Sequence, residues 1–116
     1  MEIEIPDTDV DGWTVVAVSG EIDVAAAPTL RDQLGELVDQ GTDHIVVDLE
    51  GVDFIDSTGL GVLVGGVRRA RGADGDLRLV CTNSRLLKVF GVTGLDEVFV
   101  IAESIPDAIA AVTPGT

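Results

Sequence analysis

The sequence predicts an α/β fold: a mostly parallel mixed β-sheet with an N-terminal hairpin and about four helices, in the order β-β-α-β-α-β-α-β-α. Three observations predict it. Beyond Pro28, segments of helical period alternate with short β-branched runs, and such alternation implies crossover connections and parallel pairing. Asp11-Gly12 separates the first two strand-like segments with a tight-turn signal. His44-Ile45-Val46-Val47-Asp48-Leu49 is apolar through its middle, as expected of a strand covered on both faces.

Taken in order, Glu2-Ile3-Glu4-Ile5 is a short strand pattern, and Trp13 to Val18 is a stronger, β-branched one. Leu30, Leu34, Leu37 and Val38 recur at helical spacing, Pro28 suits a first helical turn, and Gly41 stops the helix. After the central strand, a second helix is expected from about Thr58 to Arg71, with Leu60, Leu63, Val64 and Val67 on one face. Leu77 to Cys81 reads as the next strand. Asn83 or Ser84 caps a short helix through Leu86, Leu87 and Phe90, closed by Gly91. Glu97 to Ile101 reads as the last strand, and Ser104-Ile105-Pro106-Asp107 opens a final helix ending near Val112. One domain spans 1–112, with a frayed tail over 113–116; there is neither an internal repeat nor a low-complexity linker.

Aromatic residues are scarce, so the core is built mainly from Val, Leu, Ile and Ala. Twenty-one carboxylates face seven basic residues, a formal net charge of -14. That field repels nucleic acid and anionic lipid, so neither is expected as a partner; it suits a solvated surface or attraction to a basic protein patch. The single cysteine, Cys81, excludes an intramolecular disulfide. The acidic N-terminus lacks the features of a signal peptide, no apolar run is long enough to span a bilayer, and a cytoplasmic location is expected.

The stretch Val52-Asp53-Phe54-Ile55-Asp56-Ser57-Thr58-Gly59-Leu60-Gly61 stands apart. Asp56 and Ser57 are both strong cap types at a helix start. The helix behind them carries Gly59, Gly61, Gly65 and Gly66, each of which weakens it by about 1 kcal/mol relative to Ala. One reading is a capped loop with glycines allowing tight helix-to-sheet packing. The other is that Ser57 presents its hydroxyl at the helix start for a partner to act on. A phosphate there would meet free backbone N–H groups while adding charge beside Asp56.

Gly20-Glu21-Ile22-Asp23, the Pro28 helix, Asp48-Leu49, Asp53 to Gly61, Leu77 to Val80 and Thr93 to Phe99 together resemble, in order and over nearly the whole chain, the STAS domain of bacterial anti-sigma factor antagonists. The resemblance implies a STAS-like fold and a regulatory protein that is not an enzyme. In that family the unphosphorylated antagonist binds an anti-sigma factor that is also a serine kinase, freeing a sigma factor. The kinase, bringing ATP and magnesium, phosphorylates the serine matching Ser57, and a serine phosphatase resets it. Thr58 is a second candidate acceptor, and Asp23, Asp56, Ser57, Thr58, Gly59, Leu60 and Gly61 form the implied partner-binding set. Asp23 also reads as a turn residue or helix cap.

Other chemistry finds little support. His44 is the only histidine, no Cys/His cluster suits zinc, and Ile55 stands where a nucleophile elbow needs glycine. Val64 replaces the third glycine of a dinucleotide fingerprint, and Lys88, the only lysine, lies outside any Walker-type loop. No cofactor and no metal are expected. Arg68, Arg69 and Arg71 read as a solvated helix face or as the frame of a docking edge. A STAS scaffold subunit of a transport or stress-sensing complex, and a small anion- or nucleotide-binding module, remain as alternatives.

Overall fold

The computed structural model describes residues 1–111. Strand β1 (Glu2–Val10) turns at Asp11-Gly12 into β2 (Trp13–Ile22); helix α1 (Ala27–Asp39), β3 (His44–Ile55), α2 (Ser57–Gly72), β4 (Asp76–Val80), α3 (Ser84–Thr93), β5 (Ile101–Ala102) and α4 (Ile105–Ala110) follow. The sheet order is β1-β2-β3-β4-β5, with β1 antiparallel and the rest parallel. This is the predicted order of elements. The expected end of the last helix near Val112 and the tail 113–116 lie outside the described residues.

The hairpin forms where expected because Asp11 and Gly12 both adopt positive φ, 53° and 87°, which suits the twist of a two-residue turn. β1 runs further than Ile5, and its register slips between Glu4 and Asp7, around Pro6. An edge strand tolerates a proline there because its missing N–H interrupts no inner ladder.

Alternation along the strands divides the core in two. Val16, Val18, Ile45, Val47, Leu49, Leu77 and Leu79 face α1, α2 and α3, meeting Leu30, Leu34, Leu63, Val67 and Phe90. Trp13, Val15, Val46 and Val80 face the other way, against Ala108 of α4. Helices on both faces explain why β4 is buried along its whole length.

β3 extends six residues beyond its predicted end at Leu49. Its pairing with β2 passes from Ala17↔Asp48 to Ser19↔Gly51, then from Gly20↔Val52 to Glu21↔Phe54, so β3 gains an extra residue twice. These two bulges space the core residues Leu49, Val52 and Ile55 three apart, which hides a strand from any period-two reading.

The predicted strand Glu97–Ile101 is corrected. Leu95–Glu97 is a 3₁₀ turn, and the strand is only Ile101–Ala102. Phe99 is drawn into the core, edge-to-face on Phe90 at 5.8 Å. The Val98 carbonyl accepts from Arg71 Nη2 at 3.0 Å, so this stretch plugs the helix layer instead of pairing. Helix α3 likewise runs past Gly91 and ends at Gly94, whose φ of 74° makes the left-handed stop.

Arg71 is therefore no part of a solvated face. Its Nε donates to Asp76 Oδ1 at 2.9 Å, while Asp76 Oδ2 accepts from Arg78 Nε at 3.1 Å. Arg78 is buried, stacks over Trp13 at 4.6 Å, and donates to the carbonyls of Ala108 at 2.8 Å and Ile109 at 3.2 Å. One carboxylate thus holds two arginines that fasten α4 to one face and the Val98 turn to the other. Asp76→Ala leaves both guanidiniums without their counter-charge, and urea unfolding is expected to show a loss of about 3 kcal/mol or more.

Candidate functional site

The parallel register of β2 and β3 builds the site. Ile22 and Ile55 are paired at the ends of their strands, so the next residues, Asp23 and Asp56, leave the sheet side by side. The Asp56 backbone N–H donates to the Ile22 carbonyl at 3.3 Å, closing the junction. Asp23 Oδ1 accepts from the Ala26 N–H at 2.9 Å and its carbonyl accepts from Ala27 at 2.8 Å. Asp23 is the turn residue that starts α1, half-buried at the junction.

Asp56, not Ser57, caps α2: its Oδ1 accepts from the Gly59 N–H at 2.9 Å. Ser57 is the first helical residue. Its side chain is exposed and its hydroxyl has no hydrogen-bond partner among the described residues. The carboxylate next door does the capping, which leaves the hydroxyl available at the positive end of a 16-residue helix. Thr58 is also exposed, but it lines a groove of about 260 Å³ between α1 and α2, together with Arg31, Gly35, Gly61 and Arg69.

Not every residue expected at the surface lies there. Gly59 and Leu60, expected in the partner-binding set, are buried beneath that surface. A Cβ on Gly59 would stand 2.5 Å from the Ile22 carbonyl oxygen and 2.8 Å from the side chains of Ile22 and Ile55. Only glycine lets α2 start so close to the strand ends. At Gly66 a Cβ would meet only side-chain ends, Leu77 Cδ1 at 2.9 Å and Leu34 Cδ1 at 3.2 Å, which can give way. Gly61 and Gly65 face open space, so nothing inside the fold requires them.

A family model, that of the STAS domain, matches residues 3–108. The chain belongs to the STAS domain family. It is 41% identical over 87 residues to the anti-sigma-B factor antagonist of Bacillus subtilis (strain 168), covering 75% of this chain and 79% of that protein. Among solved structures, an anti-sigma factor antagonist from Mycobacterium paratuberculosis superposes with a TM-score of 0.83 at 32% identity, covering 96% of this chain and 92% of that one. The Bacillus cell fate determinant SpoIIAA in its phosphorylated form gives a TM-score of 0.68 at 26% identity, covering 93% of this chain and 95% of that one.

Elsewhere in this STAS domain, the remaining reactive side chains are engaged structurally. His44 Nδ1 lies 2.7 Å from Asp43 Oδ1, and its ring meets Trp13 edge-on at 5.0 Å. Cys81 is buried, and that burial raises its thiol pKa, which disfavours the reactive thiolate. No group of three or more His, Cys, Asp or Glu side chains is placed to hold a metal among the described residues, and no helix of those residues is long and apolar enough to cross a membrane.

The glycines of α2 separate by role, and thermal melts can read the separation. Gly59→Ala is expected to destabilise by about 1–3 kcal/mol, because backbone and core atoms must shift. Gly61→Ala and Gly65→Ala are each expected to stabilise by about 0.5–1 kcal/mol.

Proposed function

We propose that this STAS domain is an anti-sigma factor antagonist: its unphosphorylated form binds an anti-sigma factor that is also a serine kinase, and phosphorylation of Ser57 ends the binding. The observation that carries the reading is the division of roles at the start of α2. Asp56 caps the helix while the neighbouring Ser57 hydroxyl stands exposed and unbonded. The names of the similar proteins support the role, and SpoIIAA, which this chain resembles along nearly its full length, has a phosphorylated form.

The chemistry belongs to the partner, which supplies ATP and magnesium. This chain supplies a hydroxyl acceptor on a rigid helix start, free of competing hydrogen bonds. A phosphate on Ser57 gains from nearby backbone N–H groups and the helix dipole. It also adds about -1.5 to -2 charge beside Asp56 and its neighbour Asp23, on a chain of net charge -14. Local anchoring keeps the modified form folded, while its charge and bulk separate it from a tightly fitted partner. A serine phosphatase restores the binding form. Thr58, which lines the α1–α2 groove, is the lesser acceptor.

Protein purified from its own cell is expected to carry the mass of one phosphate on Ser57. Wild type and Ser57→Ala are expected to capture the kinase, and Ser57→Asp to lose it. Equal capture by all three overturns the switch.

A further inference from the structure

Six large apolar residues are exposed among the described residues. Ile5 belongs to the hairpin and Leu87 and Val92 to α3, while Met1 lies beside Gly20, on a surface recess shared with Glu21 and Asp23. The remaining two, Val24 at 67% exposure and Phe54 at 48%, sit at the end of the sheet that carries Ser57. Phe54 directly precedes Ile55, and Val24 follows Ile22 by two residues; Ile22 and Ile55 are the strand-end pair that sets the site.

The second bulge of β3 accounts for the exposure of Phe54. Val52 and Ile55 both enter the core three residues apart, which leaves both Asp53 and Phe54 outside it. Regular alternation would leave one residue outside between two core residues. A bulge beside a functional residue commonly re-aims a side chain. Here it turns an aromatic ring toward solvent with no intramolecular ring partner among the described residues.

Carboxylates flank the two apolar residues along the chain. Glu21 and Asp53 are exposed, and Asp23 and Asp56 half-buried. The segments 21–26 and 52–58 contain no Lys, Arg or His. An apolar centre with carboxylates at the strand ends has the anatomy of a protein docking surface, and Arg31 and Arg69, in the groove at Thr58, mark where that acidic margin stops.

We propose that Phe54 and Val24 are the apolar anchors by which this chain holds the anti-sigma factor kinase, whose matching surface is an apolar recess rimmed by Arg and Lys. The proposal rests on the functional reading above. Any protein that reaches the Ser57 hydroxyl must also cover the adjoining strand end, and the complementary charge of that protein is positive. Desolvating the ring contributes affinity, while the carboxylate rim guides approach and register. A phosphate at Ser57 then lands within the covered area, so separation needs no rearrangement of the fold.

The test measures binding rates of the purified anti-sigma factor kinase from the same organism to wild type, Phe54→Ala, Phe54→Leu, Val24→Ala, Asp53→Asn, Val92→Ala and Ser57→Asp. Phe54→Ala is expected to weaken binding about 30-fold, chiefly through faster dissociation, with Phe54→Leu recovering part of the loss. Val24→Ala is expected to cost about 5-fold, and Val92→Ala, on distant α3, to leave the affinity unchanged. Asp53→Asn should slow association and flatten its dependence on salt. Melting temperatures of the Phe54 and Val24 variants should match wild type, separating lost contact from lost fold. Wild-type affinity in both Phe54 variants, with binding lost in Ser57→Asp, overturns the anchors and leaves the switch standing. Loss in Phe54→Ala with full binding by Ser57→Asp supports the anchors and overturns the switch. No binding by wild type overturns both, and an association rate insensitive to salt overturns the basic rim.

Discussion

The contact of Gly59 with Ile22 and Ile55 governs where everything else in the site can be. Two parallel strands end on a paired Ile22 and Ile55, and α2 starts with its backbone pressed against both. No other residue type leaves room for the Ile22 carbonyl at that distance. The approach fixes the angle at which α2 leaves the sheet, and through it the position of Ser57 two residues before Gly59. It also aligns Asp23 with Asp56, since each simply follows its strand's last residue. The site is a consequence of strand register and one missing side chain, with little contributed by flexible loops.

A second constraint acts at the opposite end of α2. Arg71 near its C-terminus reaches Asp76, and Asp76 in turn holds Arg78 beneath Trp13 and α4. The two ends of one helix are thus fixed differently: close apolar packing at the start, a buried charge network at the finish. Such a network is costly to leave incomplete, which makes it specific about which elements meet. The consequence for the site is indirect but physical. A helix anchored at its far end cannot slide along the sheet, so its first turn keeps its height relative to the strand ends.

Much of this was legible in the sequence, and the gaps have particular causes. The element order followed from alternating periods, and the Asp11-Gly12 turn and the Asn83 and Ser104 caps follow from local chemistry. The end of β3 did not, because two bulges convert a spacing of two into a spacing of three. Val98-Phe99 reads as strand by composition; only the tertiary position of Phe90 shows why it packs instead. At the site, Asp56 and Ser57 are equally good caps by residue type, and which one turns inward depends on the geometry of Gly59. Phe54 carried no signal at all. An aromatic residue in an apolar stretch reads as core, and its exposure depends on a bulge that sequence spacing conceals.

The capping of α2 by Asp56 has one more consequence. Because Asp56 supplies the cap, the first turn of α2 does not depend on a hydrogen bond from the Ser57 side chain. That side chain can be exchanged for another without taking the cap from the first turn. A change at position 57 therefore alters the surface at the helix start while the Asp56 cap stays in place.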